Sequence, residues 1–188
     1  MAMLWLTLTG SLGMLLQAIA RERANRALES LLASAQGWEI VAGKLLGVGA
    51  VSLLVLLSWL GSAAAFSAFL PPQTGLIGSA ISVLGQPLSL LRDAGIYICA
   101  FAFFGAATLV VGAMARDSAS AQNLARPLFL VLLVAFFVAL GAPDGAPSWL
   151  VYVPPLTPFL LLVNSAPSVA PMSQAILLGM LLAGSGAM

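Results

Sequence analysis

RERANRALESLLASAQGWEIVAGKLLG, residues 21–47, decides how the rest of the chain is read. It gathers seven of the thirteen charged residues: Arg21, Glu22, Arg23, Arg26, Glu29, Glu39 and Lys44. The whole sequence of 188 residues is 61% hydrophobic and 7% charged, with a mean hydropathy of +1.08. Soluble domains carry roughly 25% charged residues. Thirteen charges could not solvate the surface of a soluble fold of this length, so lipid must be the solvent for most of the chain. The formal net charge of +1 offers no basic field for nucleic acid.

A bilayer-crossing helix needs about 20 apolar residues. On either side of the charged segment the sequence predicts spans near 2–20, 45–69, 94–115, 121–141 and 171–188. The first ends in Ala18-Ile19-Ala20, which is like a signal cleavage site, but no basic stretch precedes it. A secretory signal needs one, so residues 2–20 are read as a retained span. The last span runs to Met188, and both ends of the chain are abrupt, which predicts a truncated or shortened protein. The expected fold is an all-α integral membrane bundle of about five spans, forming a single transmembrane domain over 1–188.

Cytoplasmic loops collect Lys and Arg. The loop 21–44 holds Arg21, Arg23, Arg26 and Lys44, and the loop 116–126 holds Arg116 and Arg126. The loop 70–93 has only Arg92, beside Asp93, and 142–170 has no basic residue. Alternation along the chain therefore predicts 21–44 and 116–126 in the cytoplasm and the N-terminus outside.

SWLVYVPPLTPFLLLV, residues 148–163, is apolar but interrupted by Pro154, Pro155 and Pro158. Proline removes a helix donor and clashes with the preceding turn. Non-helical backbone at membrane depth survives only against protein or a water-filled cavity. We expect a re-entrant pair of short helices entering from the outside; an ordinary kinked span is the alternative. No Lys or Arg follows Arg126 to decide between them.

Within the charged segment, helical periodicity puts Leu28, Leu31 and Leu32 on one face, with Ala24 and Ala35 extending it. Arg23, Arg26 and Glu29 lie around the rest, and Glu22 precedes Arg26 by four residues, the favourable order for a helical ion pair. Gly37 is expected to end this amphipathic helix, predicted over 22–35, with Trp38 at the headgroup level. Lys44 would anchor the next span by snorkelling to the surface. The leucine ridge could lie in the lipid surface or insert into a groove on a partner protein. GWEIVAGK is not a phosphate-binding loop, because five residues separate Gly37 from Gly43 and Leu45 stands where a hydroxyl is needed. Gly43 and Gly47 form a G-x-x-x-G, and Gly179 with Ala183 a similar small pair, spacings that let helices approach closely.

Histidine is absent and Cys99 is the single cysteine. No intrachain disulfide, no metal ligand set and no catalytic serine–histidine or paired-aspartate site can be assembled, so no cofactor, metal or catalytic residue is assigned. Cys99, inside IYICAFAFF, reads as a small packing residue. Gln17, Thr108 and Asn164 could face a pathway or make helix–helix hydrogen bonds. Ionisable residues within spans are default functional sites, and none lies deep in a span here. That argues against a proton- or sodium-coupled carrier and suits an apolar or amphipathic cargo.

The order of residues resembles the membrane permeases of type-2 ABC exporters, including the sodium-efflux or multidrug-type branch. Those proteins carry E-K-E-x-R-x-L-E-x-L-L, a proline-containing turn, and G-K-x-L-G opening the next span. This chain has Glu22, Arg23, Asn25, Arg26, Leu28, Glu29, Leu31 and Leu32, then Gly43, Lys44, Leu46 and Gly47. VYVPPLTPFLLLV is similar to the family's proline-rich segment ahead of the last span. Two positions depart: Ala24 replaces the second acidic residue, and the proline of the turn is missing around Ala35. The resemblance implies that 22–35 is a coupling helix docking into a separate ATP-binding-cassette ATPase subunit through Glu22, Arg23, Arg26, Leu28, Glu29, Leu31 and Leu32. It further implies assembly with a second permease copy or homologue, and a bacterial inner-membrane location. It thereby favours the partner-groove role over the lipid-surface role. Two rival readings are a non-transport scaffold or assembly factor of the same fold, and a small secondary carrier.

Overall fold

The computed structural model describes residues 2–24, 36–67, 87–141, 148–163 and 179. Its helices are α1 (Ala2–Ala24), α2 (Gly37–Ser67), α3 (Pro87–Met114), α4 (Ser118–Gly141) and the short α5 (Thr157–Val163). A 3-10 turn at Ser148–Tyr152 precedes α5. Four stretches are long and apolar enough to cross a bilayer: Ala2–Glu22, Gly37–Ala63, Leu90–Met114 and Ser118–Gly141. The architecture is an all-α membrane bundle. The span expected at 171–188 lies outside the described residues, apart from the helical Gly179.

Local hydrogen bonding sets where the helices begin. α2 starts at Gly37, well before the apolar run at 45, so Gly37 opens a helix where the sequence reading had it closing one. Gln36 caps it: the Gln36 N–H donates to Glu39 Oε2 at 2.9 Å, three residues on, in the manner of a capping box. The Trp38 indole N–H donates to Gln36 Oε1 at 2.6 Å. α4 starts at Ser118 behind a reciprocal cap, in which the Ser120 N–H donates to Asp117 Oδ1 at 2.6 Å. Ser120 Oγ in turn accepts from the Asp117 N–H at 3.0 Å. Pro127 sits inside α4, where its missing N–H leaves the Asn123 carbonyl without its usual partner.

α1 is the central post, packed against α2, α3 and α4. Its buried residues Leu8, Leu12, Leu15, Leu16, Ile19 and Ala20 recur at helical spacing. Trp5 stacks on Phe136 of α4 with ring centroids 5.0 Å apart. α2 and α3 run antiparallel along three successive contacts: Leu45 against Gly105, Gly49 against Phe101, and Ser52 with Tyr97. A Cβ at Gly105 would lie 2.7 Å from Leu45 Cδ2, and one at Gly49 would lie 3.1 Å from Phe101 Cε1. Gly112 receives Ile19 of α1, 3.3 Å from where a Cβ would sit. Gly43 and Gly47, by contrast, have no described atom within 4 Å of a Cβ position. Among the described residues, the glycines that admit neighbouring helices are therefore 49, 105 and 112.

Hydroxyls inside the bundle are satisfied locally, as lipid demands. Thr7, Ser11 and Thr108 donate to the carbonyls of Met3, Thr7 and Phe104 at 2.7, 2.8 and 2.7 Å. Gln17 is exposed on α1, Cys99 is buried, and Asn164 lies outside the described residues. Arg92 and Asp93 pair with each other on α3 at 3.2 Å.

The proline-rich element is two short helices and a turn. Pro154 and Pro155 lie in the turn between the 3-10 segment and α5, and Pro158 is the second residue of α5, where no intrahelical donor is lost. Thr157 Oγ1 fastens the turn by donating to the Val151 carbonyl at 2.7 Å. Val151, Phe159, Leu160 and Leu161 are buried in the main core. The residues on either side of the turn are thus anchored in the core, while Pro154 in the turn itself is exposed.

Candidate functional site

The charged segment enters and leaves at one end of the bundle. Glu22 and Arg23 belong to the last turn of α1; Arg26, Leu28, Glu29, Leu31 and Leu32 fall outside the described residues. At the far end of the segment, Lys44 lies on α2, two turns in from Gly37. The Lys44 Nζ donates to Glu22 Oε2, so the two margins of the segment are joined by an ion pair. The two side chains are 16% and 31% exposed, which places the pair at the edge of the apolar bundle and out of bulk water.

Burial explains why the pair matters. Lys44 stands where the apolar run of α2 begins, directly before Leu45, Leu46 and Gly47. A lone lysine costs about 2.5–3.5 kcal/mol at a bilayer centre, and less towards the surface. Glu22 supplies the opposite charge and a hydrogen-bond acceptor. The sequence suggests an ion pair of Glu22 with Arg26, which lies outside the described residues, and a snorkelling Lys44; the structure pairs Lys44 with Glu22. They are far apart in sequence, and no helical spacing rule connects them.

The packing beside the pair is tight. Leu15, Ile19 and Leu109 form a buried cluster with Leu45 and Val48, so α1, α2 and α3 meet one residue beyond Lys44. Leu16, Ala20, Ala115, Ala121 and Ala125 form a second cluster at the same end, where small residues bring the start of α4 close to α1. The turn 115–117 thus shares an end of the bundle with the margins of the charged segment. Arg21, Arg116 and Arg126 are exposed there. Asp117 is held below its ordinary pKa, first by the Ser120 N–H and then by the Ser120 hydroxyl.

Deeper along α2, Ser52 Oγ and Tyr97 Oη share a buried hydrogen bond of 2.6 Å. Apolar clefts flank this bond on both sides of α2. One, of about 160 Å³, is bordered by Met14, Val51, Val55 and Trp59; the other, of about 340 Å³, by Leu46, Leu53, Ile98 and Phe101. Among the four described spans α2 is the least covered: 6% of its apolar window is buried, against 56% for α3. No group of acidic, histidine or cysteine side chains able to hold a metal occurs among the described residues.

No curated protein and no solved structure matches this chain. A family model described as ABC-2 family transporter protein does match, over residues 1–187. With four bilayer-length helices and a match spanning nearly the whole sequence, this integral membrane chain belongs to the ABC-2 family of transporter proteins, the permease components of ABC transporters.

Proposed function

We propose that this permease exports an apolar, amphipathic or ionic substrate from the cytoplasm, driven by ATP hydrolysed in a separate ATP-binding-cassette subunit. The family match over residues 1–187 carries this reading. The segment 22–35 is the coupling element: Arg23, Arg26 and Glu29 set register on the ATPase, and Leu28, Leu31 and Leu32 supply burial. Each fully buried leucine contributes roughly 1.5–3 kcal/mol. The pairing of Glu22 with Lys44 supports this role, because it joins the two margins of the segment at the end that also exposes Arg21, Arg116 and Arg126. The basic-inside rule supports a cytoplasmic location for that end and an outside N-terminus; the resemblance to type-2 ABC exporters suggests a bacterial inner membrane. A second permease copy completes the assembly, and the uncovered face of α2 with Leu46, Leu54 and Leu57 exposed leaves room for it. The element 148–163 is re-entrant, held by Val151 on one side of its turn and by Phe159, Leu160 and Leu161 on the other, all buried in the core.

The test is co-expression with an ATP-binding-cassette subunit, copurification, and efflux of a hydrophobic dye from vesicles. Charge reversal at Arg26 or Glu29 is expected to separate ATP turnover from efflux. Wild-type coupling in both reversed proteins would count against the assignment.

A further inference from the structure

We propose that Glu22 and Lys44 are a clasp that makes α1 and α2 move as one body when the segment between them is pushed, and that Glu22 is therefore a positioning residue and not a contact for the ATPase. The inference rests on the reading of 22–35 as the coupling element. It departs from that reading in taking Glu22 out of the docking surface.

Three observations lead there. First, the pair spans the whole segment: Glu22 lies in the last turn of α1, and Lys44 follows the cap of α2 at Gln36 by two turns. Second, among the described residues the pair is the one side-chain link beyond the Leu45 layer that joins the ends of the two helices. Arg21, Trp38, Glu39, Val41 and Gly43 are exposed, and no described atom comes within 4 Å of a Cβ position at Gly43. Third, the next layer of contacts is already shared with α3: Leu45 packs against Gly105, and Leu15 of α1 closes on the same glycine. A load on residues 25–35 delivered to α1 alone would bend its last turn away from α2. Delivered through the clasp, it reaches both helices and, through Leu45, the α3 ladder of Gly105, Phe101 and Tyr97.

The environment makes the clasp persistent. Both charged groups are at most a third exposed, so separating them would leave an ammonium without its acceptor and a carboxylate without its donor. That is the behaviour of a fixed joint and not of a gate.

The experiment uses the full chain in nanodiscs, with Cys99→Ala removing the native thiol and spin labels at Arg21→Cys and Val41→Cys. Electron–electron distance measurements then read the separation of the two helix ends. A narrow distribution is expected with the native pair, a broadened one shifted to longer distance in Lys44→Gln, and recovery of the narrow one in the swapped Glu22→Lys/Lys44→Glu protein. An unchanged distribution in Lys44→Gln overturns the clasp. Copurification of the ATPase subunit is the second readout: Glu22→Gln is expected to retain it. Loss of the subunit with the distance still narrow would make Glu22 a docking residue and overturn the proposal. Failure of every variant, the native chain included, to bind an ATPase would instead sink the coupling reading while leaving the distance result standing.

Discussion

Gly105 offers the sharpest test of the packing, because Gly95 on the same helix supplies its control. Replacing a helical glycine with alanine normally stabilises by roughly 0.5–1 kcal/mol, since the backbone loses less entropy on ordering. At Gly95 a new Cβ meets no described atom within 4 Å, so only this gain applies. At Gly105 it would lie 2.7 Å from Leu45 Cδ2. Favourable carbon contacts fall at about 3.5–4.0 Å, so the overlap is on the order of 1 Å. Leu15 Cδ2 and Phe101 Cε1 border the same point at 3.6 and 4.0 Å, so the new methyl can be accommodated only if Leu45 changes its packing. Overpacking of this kind costs typically about 1–3 kcal/mol. Gly95→Ala should therefore raise stability, and Gly105→Ala should fall below it by about 1–3 kcal/mol. The assay is reversible denaturant titration in mixed micelles, followed by helical circular dichroism. Adding Leu45→Ala to Gly105→Ala should give less than additive losses, because the clash partner is gone. Equal effects at Gly95 and Gly105, or strict additivity with Leu45→Ala, would refute the three-helix junction next to the clasp.

Tyr97→Phe strands the buried Ser52 hydroxyl and Ser52→Ala strands Tyr97 Oη. Each should lose about 0.6–1.7 kcal/mol in the same titration, and the double variant should lose less than the sum. Asp117 predicts a pH effect confined to the start of α4. Its carboxyl is depressed in the folded state by Ser120, so its contribution is fully present above the unfolded carboxylate pKa and is lost as pH falls through the lower folded value. Hydrogen exchange at Ser120 and Ala121 should therefore stay slow from neutral pH to below the usual carboxylate range, and should quicken at all pH values in Asp117→Ala. Fast exchange in the native chain at neutral pH would remove the cap.

The bundle was legible in the sequence because lipid imposes a crude rule, about 20 apolar residues for each crossing. Helix starts were harder. α2 begins at Gly37 because Glu39 reaches back to Gln36, and glutamine is not a customary capping residue. Eight residues, GWEIVAGK, with two charges and two glycines among them, then separate that cap from the apolar run at Leu45. The Glu22–Lys44 pair was invisible because its members meet only after two helices fold back on each other. The glycines that pack within the described bundle follow a longer spacing than G-x-x-x-G. Gly43 and Gly47 have the familiar spacing but face no described neighbour, whereas Gly105 and Gly112, seven residues apart and so on one helix face, accept Leu45 and Ile19. A search for that longer spacing would have found them. The proline-rich stretch was read correctly as broken helix, since three prolines in five residues leave a turn as the simplest backbone.

Sidedness of the charged segment tests the central claim most directly. A single cysteine at Leu31→Cys, in the Cys99→Ala background, is exposed in intact cells to a membrane-impermeant thiol reagent. Export driven by a cytoplasmic ATPase requires that the reagent reach this position only after the membrane is opened. Labelling from the outside of intact cells would contradict the account.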